Sequence, residues 1–295
     1  MNPRKSEPSM NNPLFSVLIA NYNNGCYLQD TIDSILRQTY SNWEIIIVDD
    51  CSTDNSTELY KELVANPGIH VFCNEKNYGA GFTKRRCVEL AKGDICGFID
   101  PDDVLVGDDV FGKMIDKHLE YPSASMVYSG MYRGDENLSI IKETPGRIVD
   151  KDSSALEMKS WPYHHFVTFK RSSYLRTEGI DPNMKRAVDY DMYYKLEEVG
   201  DVIHLDCIQY IQRNNPHSIS LNDNSYKAAV WHSYACVNAM IRRGIRDESL
   251  MLFPVENALR KAYKKGYEKA ISSKIYRLGK LIASPVSLLK RIWRK

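Results

Sequence analysis

No stretch of this chain approaches the ~18 consecutive apolar residues of a membrane-spanning helix. The seven cysteines (Cys26, Cys51, Cys73, Cys87, Cys96, Cys207 and Cys236) include no Cys-x-x-Cys pair and no zinc-finger spacing. An odd count with several members inside apolar runs argues against a disulfide framework. It points to buried, reduced thiols and hence to a reducing compartment. Internal repeats and low-complexity segments are absent. The opening MNPRKSEPSMNNP lacks the apolar core of a signal peptide, so residues 1–13 are expected to be disordered and the protein cytoplasmic.

In bulk the 295 residues are ordinary for a soluble globular protein, at 43% apolar and 26% charged. The net charge of +1 hides an asymmetry. From Arg260 to Lys295 twelve Lys and Arg face one acid, Glu268, a net +11, which leaves −10 on the first 259 residues. Within that basic stretch Ile275, Leu278, Ile282, Leu289, Ile292 and Trp293 recur at helical spacing, interrupted by Pro285. A basic amphipathic tail ending near a Trp suits an anionic membrane surface. A helix packed on the domain with solvated charges is the plainer alternative. Nucleic acid is disfavoured because the body is acidic and the basic segment amphipathic.

Hydrophobic patterning predicts strands at Phe15–Ala20, Glu44–Val48, Ile69–Cys73, Ile95–Ile99 and Ser125–Ser129. Helices are predicted near 27–38, 57–64, 80–91 and 108–120. Short, wholly apolar strands alternating with helices imply a mostly parallel sheet covered on both faces. From Met131 to Asp150 the pattern weakens into polar loop. Further on, the chain predicts a helix at 151–159, a strand at 165–170, a helix at 187–199 and two short strands at 202–205 and 207–212. Helices at 225–243 and 249–264 follow. In parallel sheets ligands bind beyond the strands' carboxyl ends. The polar clusters lie at such ends: Asn21 to Asn23, Asp49 and Asp50, and Asp100 to Asp103.

The run FIDPDD from Phe98 is the most informative. Asp100, Asp102 and Asp103 close an apolar strand, repel one another and gain nothing from packing. A divalent cation bridging a diphosphate would neutralise them, since Mg²⁺ and Mn²⁺ take carboxylate and phosphate oxygens. The competing explanation is an Asp-rich turn or helix cap.

Taken in order, SVLIANYNN at Ser16, SILRQTY-x-x-WEIIIVDDCSTDNS at Ser34, NYGAG…LAKGD at Asn77, FIDPDD at Phe98 and VDYDMYYKL at Val188 resemble the family 2 glycosyltransferases of GT-A fold. The resemblance runs from about Phe15 to Ser220. It implies an inverting, metal-dependent transfer from a nucleotide-sugar, UDP-linked by expectation. It also implies a catalytic domain at 14–222, with a nucleotide-sugar half to about 130 and an acceptor half from about 131. Residues 223–295 would be a helical extension.

Roles follow from the resemblance together with the chemistry of each residue. Tyr22 would stack on the base, with the Ala20 backbone beside it, and Asp49 or Asp50 would contact the nucleoside. Lys84 stands where the family usually has an Arg facing the phosphates, and it offers a point charge in place of a fork. Asp100 would touch ribose, and Asp102 and Asp103 are left unranked as metal ligands for Mn²⁺ or Mg²⁺. Asp189 is the candidate base, in a block where Val188 replaces the usual Glu. Asp191 is taken as a first-turn acid favoured by the helix dipole. Arg213 would bind phosphate. The family often places a His where Asn215 stands, and His217 sits two residues later as a second metal or phosphate candidate. Trp161, His164 and His165 would border the acceptor, a glycan or lipid-linked saccharide. The setting implied is bacterial surface-polysaccharide assembly at the inner face of the cell membrane.

Two alternatives remain. A sugar-phosphate nucleotidyltransferase would need a Gly-rich, Arg-bearing loop after the first strand, where this chain has Asn21-Tyr22-Asn23-Asn24-Gly25. A binding protein with a dead site would have little reason to keep Asp100, Asp102 and Asp189.

Overall fold

The computed structural model describes residues 12–149, 153–158, 161–218, 225–247 and 249–264. The expected disordered N-terminus and the amphipathic tail fall almost wholly outside them. Nine strands form one sheet: β1 (Phe15–Asn21), β2 (Trp43–Asp49), β3 (Ile69–Cys73), β4 (Ile95–Phe98), β5 (Val104–Leu105), β6 (Ala124–Gly134), β7 (Ile140–Thr144), β8 (His164–Lys170) and β9 (Asp201–Gln212). Among the described residues eight helices accompany it: α1 (Gly25–Leu36), α2 (Ser56–Leu63), α3 (Ala80–Leu90), α4 (Val110–Glu120), α5 (Arg171–Tyr174), α6 (Val188–Glu197), α7 (Ser225–Arg242) and α8 (Ser249–Lys264).

The strand order is β3-β2-β1-β4-β8-β6-β9-β5, with β7 added beside β6. The β3-β2-β1-β4 half is wholly parallel. Beyond β4 the sheet becomes mixed: β8 runs antiparallel to β4 and β6, whereas β9 runs parallel to β6. Alternate residues of β1 serve opposite cores. Phe15, Val17 and Ile19 pack against α1, α2 and α4, while Leu18 joins a core built with α3, α6 and α7. Coverage on both faces explains why these strands lack polar alternation.

Three expectations need correction. The region from Met131 is not loop, because β6 continues to Gly134 and pairs with β7. Ile140, Ile141 and Lys142 are all exposed, so β7 is an outer strand with no buried face to imprint a period of two. Of the helix expected at 151–159, the described residues 153–158 hold a 3₁₀ turn at Ala155–Glu157. The two short strands at 202–212 are one, its register to β6 broken by bulges that blur the alternation. The cysteines also divide. Cys87, Cys96 and Cys236 are buried, but Cys26, Cys51 and Cys73 are exposed, because those three sit at strand ends and on a helix rim.

The region expected as an extension begins inside the core: Ala235, Cys236, Ala239 and Met240 of α7 pack with the sheet. Arg242 and Arg243 tie α7 to Glu197 and Glu198 at the end of α6. Among the described residues no helix is long and apolar enough to cross a membrane.

His118 in α4 is buried, with Nε2 3.0 Å from the Thr168 hydroxyl and Nδ1 without a partner. Burial, aided by Lys170, pushes its pKa down to about 3. The unfolded chain, at ~6.5, therefore binds the proton more readily. The native state is fully favoured above pH ~6.5 and loses stability as pH falls toward 3. Between pH 7 and pH 5 we expect wild type to lose about 2 kcal/mol more than His118→Gln, measured by urea unfolding. Equal losses would contradict it.

Candidate active site

The strand ends are tied to one another before any ligand is considered. Asn23 and Cys51 hold positive φ angles of 53° and 65°, a conformation non-glycine residues adopt where surroundings impose it. Asn23 Oδ1 accepts from the Thr53 amide at 2.7 Å and its own amide donates to Ser52 Oγ at 2.9 Å, joining the loops after β1 and β2. Tyr22 stands in this turn with its ring exposed, and Ala20 lies half-buried at the strand end. Both are placed where a base could lie.

The paired acids after β2 face inward. Asp49 accepts from the Ser52 amide (2.7 Å), the Tyr60 hydroxyl (2.6 Å) and Asn21 Nδ2 (3.2 Å) and is buried. Both its oxygens are engaged within the protein, so it anchors the end of β2. Asp50 accepts from Asn74 Nδ2 (2.8 Å) and the amides of Tyr78 (2.9 Å) and Gly79 (2.7 Å). It fixes the glycine turn that opens α3. Each acid has one oxygen with a single donor, Oδ1 of Asp49 and Oδ2 of Asp50.

That turn has a clear purpose. Gly81 donates to the Met184 carbonyl at 3.0 Å, and a Cβ there would sit 2.5 Å from the Asp181 carbonyl oxygen. Only glycine lets α3 approach the 181–184 turn so closely. The approach carries Lys84 of α3 to Asp189, at the first turn of α6. Lys84 Nζ lies 2.8 Å from Asp189 Oδ1 and 3.2 Å from Asp100 Oδ1, with the Phe98 ring 5.1 Å beneath. One buried ammonium thus joins the acid at the end of β4 to the acid expected as base. Burial alone would lower its pKa, but the two carboxylates outweigh this and raise it. Burial would likewise raise Asp100, whereas Lys84 and then His165 hold it below the usual range.

Asp102 and Asp103 separate clearly. Asp103 is buried and accepts from the Arg213 amide at 2.8 Å. Burial, then Asp102 and Asp100, push its pKa well up. Asp102 is half-exposed, and burial followed by repulsion from Asp100 pushes it up to about 6. Its Oδ2 accepts from Asn215 Nδ2 at 2.7 Å, leaving Oδ1 with no partner recorded. Among the described residues no three His, Cys, Asp or Glu side chains converge as a metal-holding set. The acids still fit a divalent cation that draws its other ligands from a diphosphate and water. Asp102 carries a carboxylate whose charge the protein leaves poorly compensated, and hard cations take such oxygens. Asp103 is turned inward, and Asp102 is the more accessible of the two.

Arg213 is buried, donating to the carbonyls of Asp102 (2.7 Å) and Glu136 (2.6 Å) and to Asp30 Oδ2 (2.6 Å). These contacts clamp the loop that carries Asp102 and Asp103. His217 is exposed and belongs to no metal-holding set among the described residues. The contact with Asp102 comes from Asn215, at the place where the family often has His. That coincidence of position was the available signal.

Asp191 is a structural acid. It is buried and pairs with Lys195 at 2.6 Å, beyond any help from the helix dipole. Trp161 lies 4.0 Å from Tyr190 and 5.4 Å from His232, ring to ring. This aromatic wall adjoins Asp189 through Tyr190. His232 went unread because α7 lies far away in sequence. His165 stacks on Tyr210 at 5.0 Å with Nδ1 unpartnered. His164 is half-buried, and burial followed by His165, Arg133, Arg147 and Lys142 pushes it down to about 4.

The chondroitin synthase of Escherichia coli is 34% identical over 211 residues, 67% of this chain but 28% of that protein; the chain thus spans under a third of that relative. S. aureus TarS residues 1–349 in complex with UDP-GlcNAc superposes with a TM-score of 0.60 at 17% identity, covering 88% of this chain and 76% of that one. The mannosyltransferase PcManGT from Pyrobaculum calidifontis, in complex with GDP-Man and Mn²⁺, gives 0.59 at 13% identity, covering 100% and 91%. The fold is therefore that of the GT-A transferases. The model of Glycosyl transferase family 2 matches residues 16–180, ending before Asp189, and with more than half its length matched the chain belongs to that family.

Proposed function

We propose that this glycosyltransferase moves a sugar from a nucleotide-sugar, UDP-linked, to a glycan or lipid-linked acceptor by a single inverting displacement that needs Mn²⁺ or Mg²⁺. One observation carries the reading. Lys84 brings Asp189 and Asp100 together although 105 residues separate Lys84 from Asp189. A candidate base thereby stands beside the candidate diphosphate site, as attack on an anomeric carbon requires.

In this reading Tyr22 and Ala20 receive the base, Asp50 and Asp100 the nucleoside, and Lys84 the diphosphate through its third N–H. Asp102 would hold the cation, which when bound stabilises charge on the departing nucleoside diphosphate. Asp189 takes the proton from the acceptor hydroxyl while Trp161 and Tyr190 offer flat faces to the acceptor sugar. A UDP-sugar and a polysaccharide acceptor are supported by the UDP-GlcNAc bound to TarS and the chondroitin made by the relative. Mn²⁺ is supported by its presence in PcManGT. The basic tail would hold the enzyme against an anionic membrane carrying the acceptor. Family membership displaces the nucleotidyltransferase alternative.

The test is nucleoside-diphosphate release from a panel of UDP-, GDP- and dTDP-sugars with Mn²⁺, Mg²⁺ or EDTA. We expect slow release from one UDP-sugar that falls to background in EDTA. Release unaffected by EDTA would overturn the metal requirement, and metal-dependent UDP binding without any turnover would favour a binding protein.

A further inference from the structure

Asn215, in the loop after β9, touches two parts of the site at once. It is buried, 2% exposed, so its amide must find partners within the protein. Nδ2 donates to Asp102 Oδ2 at 2.7 Å and to Asn24 Oδ1 at 3.2 Å. Oδ1 accepts from the His217 amide at 2.8 Å. Asn24 in turn donates from Nδ2 to the Tyr22 carbonyl at 3.0 Å. One side chain thus ties the carboxylate of Asp102 to the turn that carries Tyr22.

The partners fix which way this amide points. Turned over, it would set its oxygen against the Asp102 carboxylate and Asn24 Oδ1, and its N–H groups against the His217 N–H. Asn215 therefore presents donors, not an oxygen, toward Asp102. Arg213 approaches the same acids differently: its amide donates to Asp103 Oδ1 at 2.8 Å and its Nε to the Asp102 carbonyl at 2.7 Å. Those bonds hold the Asp102 backbone and the neighbouring acid. The bond from Asn215 holds the Asp102 side chain. Asp100 repels that carboxylate, so an unheld Asp102 would swing toward solvent and would have to be ordered again before it could bind anything.

We propose that Asn215 is a positioning residue for the cation: its N–H holds Asp102 Oδ2 so that the carboxylate stands ready to take Mn²⁺ or Mg²⁺, and Asn215 is not itself a ligand. The inference rests on the reading that Asp102 holds the cation. Hydrogen-bond partners of ligating groups typically set metal affinity by about 10–100-fold. A direct ligand role is the competing explanation. It would require the amide to turn over and break its bonds to Asp102, Asn24 and His217.

The experiment measures UDP binding to the full chain by calorimetry at a series of Mn²⁺ concentrations, alongside uridine binding in EDTA, which involves neither phosphate nor metal. In Asn215→Ala the Mn²⁺ concentration giving half the gain in UDP affinity should rise about tenfold or more, while uridine binding in EDTA stays within about twofold of wild type. Asn215→Leu, matched in shape and unable to donate, repeats the test should the smaller side chain unfold the protein. Asp102→Asn should also raise the Mn²⁺ requirement, and adding Asn215→Ala to it should change that requirement by less than about twofold, because Asn215 acts only through Asp102. An unchanged Mn²⁺ requirement in the Asn215 variants overturns the proposal. A further tenfold loss in the double variant overturns it too, and would make Asn215 a ligand in its own right. Parallel loss of uridine binding would show general collapse of the site and overturn it as well. Wild-type UDP binding that responds neither to Mn²⁺ nor to Asp102→Asn would instead overturn the cation site on which the proposal rests.

Discussion

Asp189→Asn should lower the transfer rate by roughly 10²–10⁴-fold while the protein still folds and still binds its donor. The substitution is nearly isosteric. An Asn side-chain oxygen can still accept from Lys84 Nζ, now 2.8 Å away, so the contact that positions the group survives. What disappears is the ability to take a proton. Asp189 is suited to that task by placement: it sits in the first turn of α6 with its side chain 22% exposed, open to an incoming hydroxyl. Asp191, one turn-face away, is the control. Its side chain is 2% exposed and bonded to Lys195, so Asp191→Asn should cost stability first, because the buried ammonium keeps hydrogen-bond acceptors such as the Gly179 carbonyl but loses its counter-charge. Single-turnover kinetics with donor saturating, alongside calorimetric donor affinity, separates the cases. An Asp189→Asn enzyme with near-wild-type turnover would remove it as base.

Much of this arrangement was legible because it is local. Wholly apolar strands ending in Asn or Asp announced a parallel sheet with a polar rim, and α1, α2, α3, α4 and α6 fell where periodicity placed them. Their buried stripes face one core each, as with Ile32 and Ile35 of α1. What escaped was decided by partners distant in sequence. Arg213 reads as a free cation in a loop until Asp30 and two carbonyls are brought around it. Asp49 reads as a rim acid until Tyr60 and Asn21 turn it inward. Asp102 and Asp103 are adjacent and chemically identical, and only the loop backbone decides which points out. β7 has no buried face and so left no pattern.

Lys84→Met carries the second large effect, on folding and on chemistry together. The ammonium lies between two carboxylates with 10% of its side chain exposed. Removing it leaves Asp100 and Asp189 facing each other without a counter-charge. Breaking a fully buried pair costs ~3–5 kcal/mol; because Asp100 and Asp189 are 33% and 22% exposed, about 2 kcal/mol is expected here, discounted for solvent screening. The pH dependence gives the loss a signature. In wild type Asp100 is held below its ordinary range, so its share of stability is present above the unfolded value of ~3.9 and fades as pH falls through the lower native one. Without Lys84, Asp100 takes up a proton more readily, so the gap between variant and wild type should be widest near pH 7 and close toward pH 4. Urea unfolding at three pH values reads it, and a gap independent of pH would mean the lysine acts through packing alone. Transfer should fall a further ~10²–10³-fold at a temperature where both proteins are folded, the loss typical of removing one preorganised donor from a developing charge. Lys84→Arg separates charge from shape: it keeps the charge and offers a fork, and the family's habit of carrying Arg here argues that most stability returns. Recovery of stability without recovery of rate would place the requirement in the position of the ammonium, and recovery of both would place it in charge.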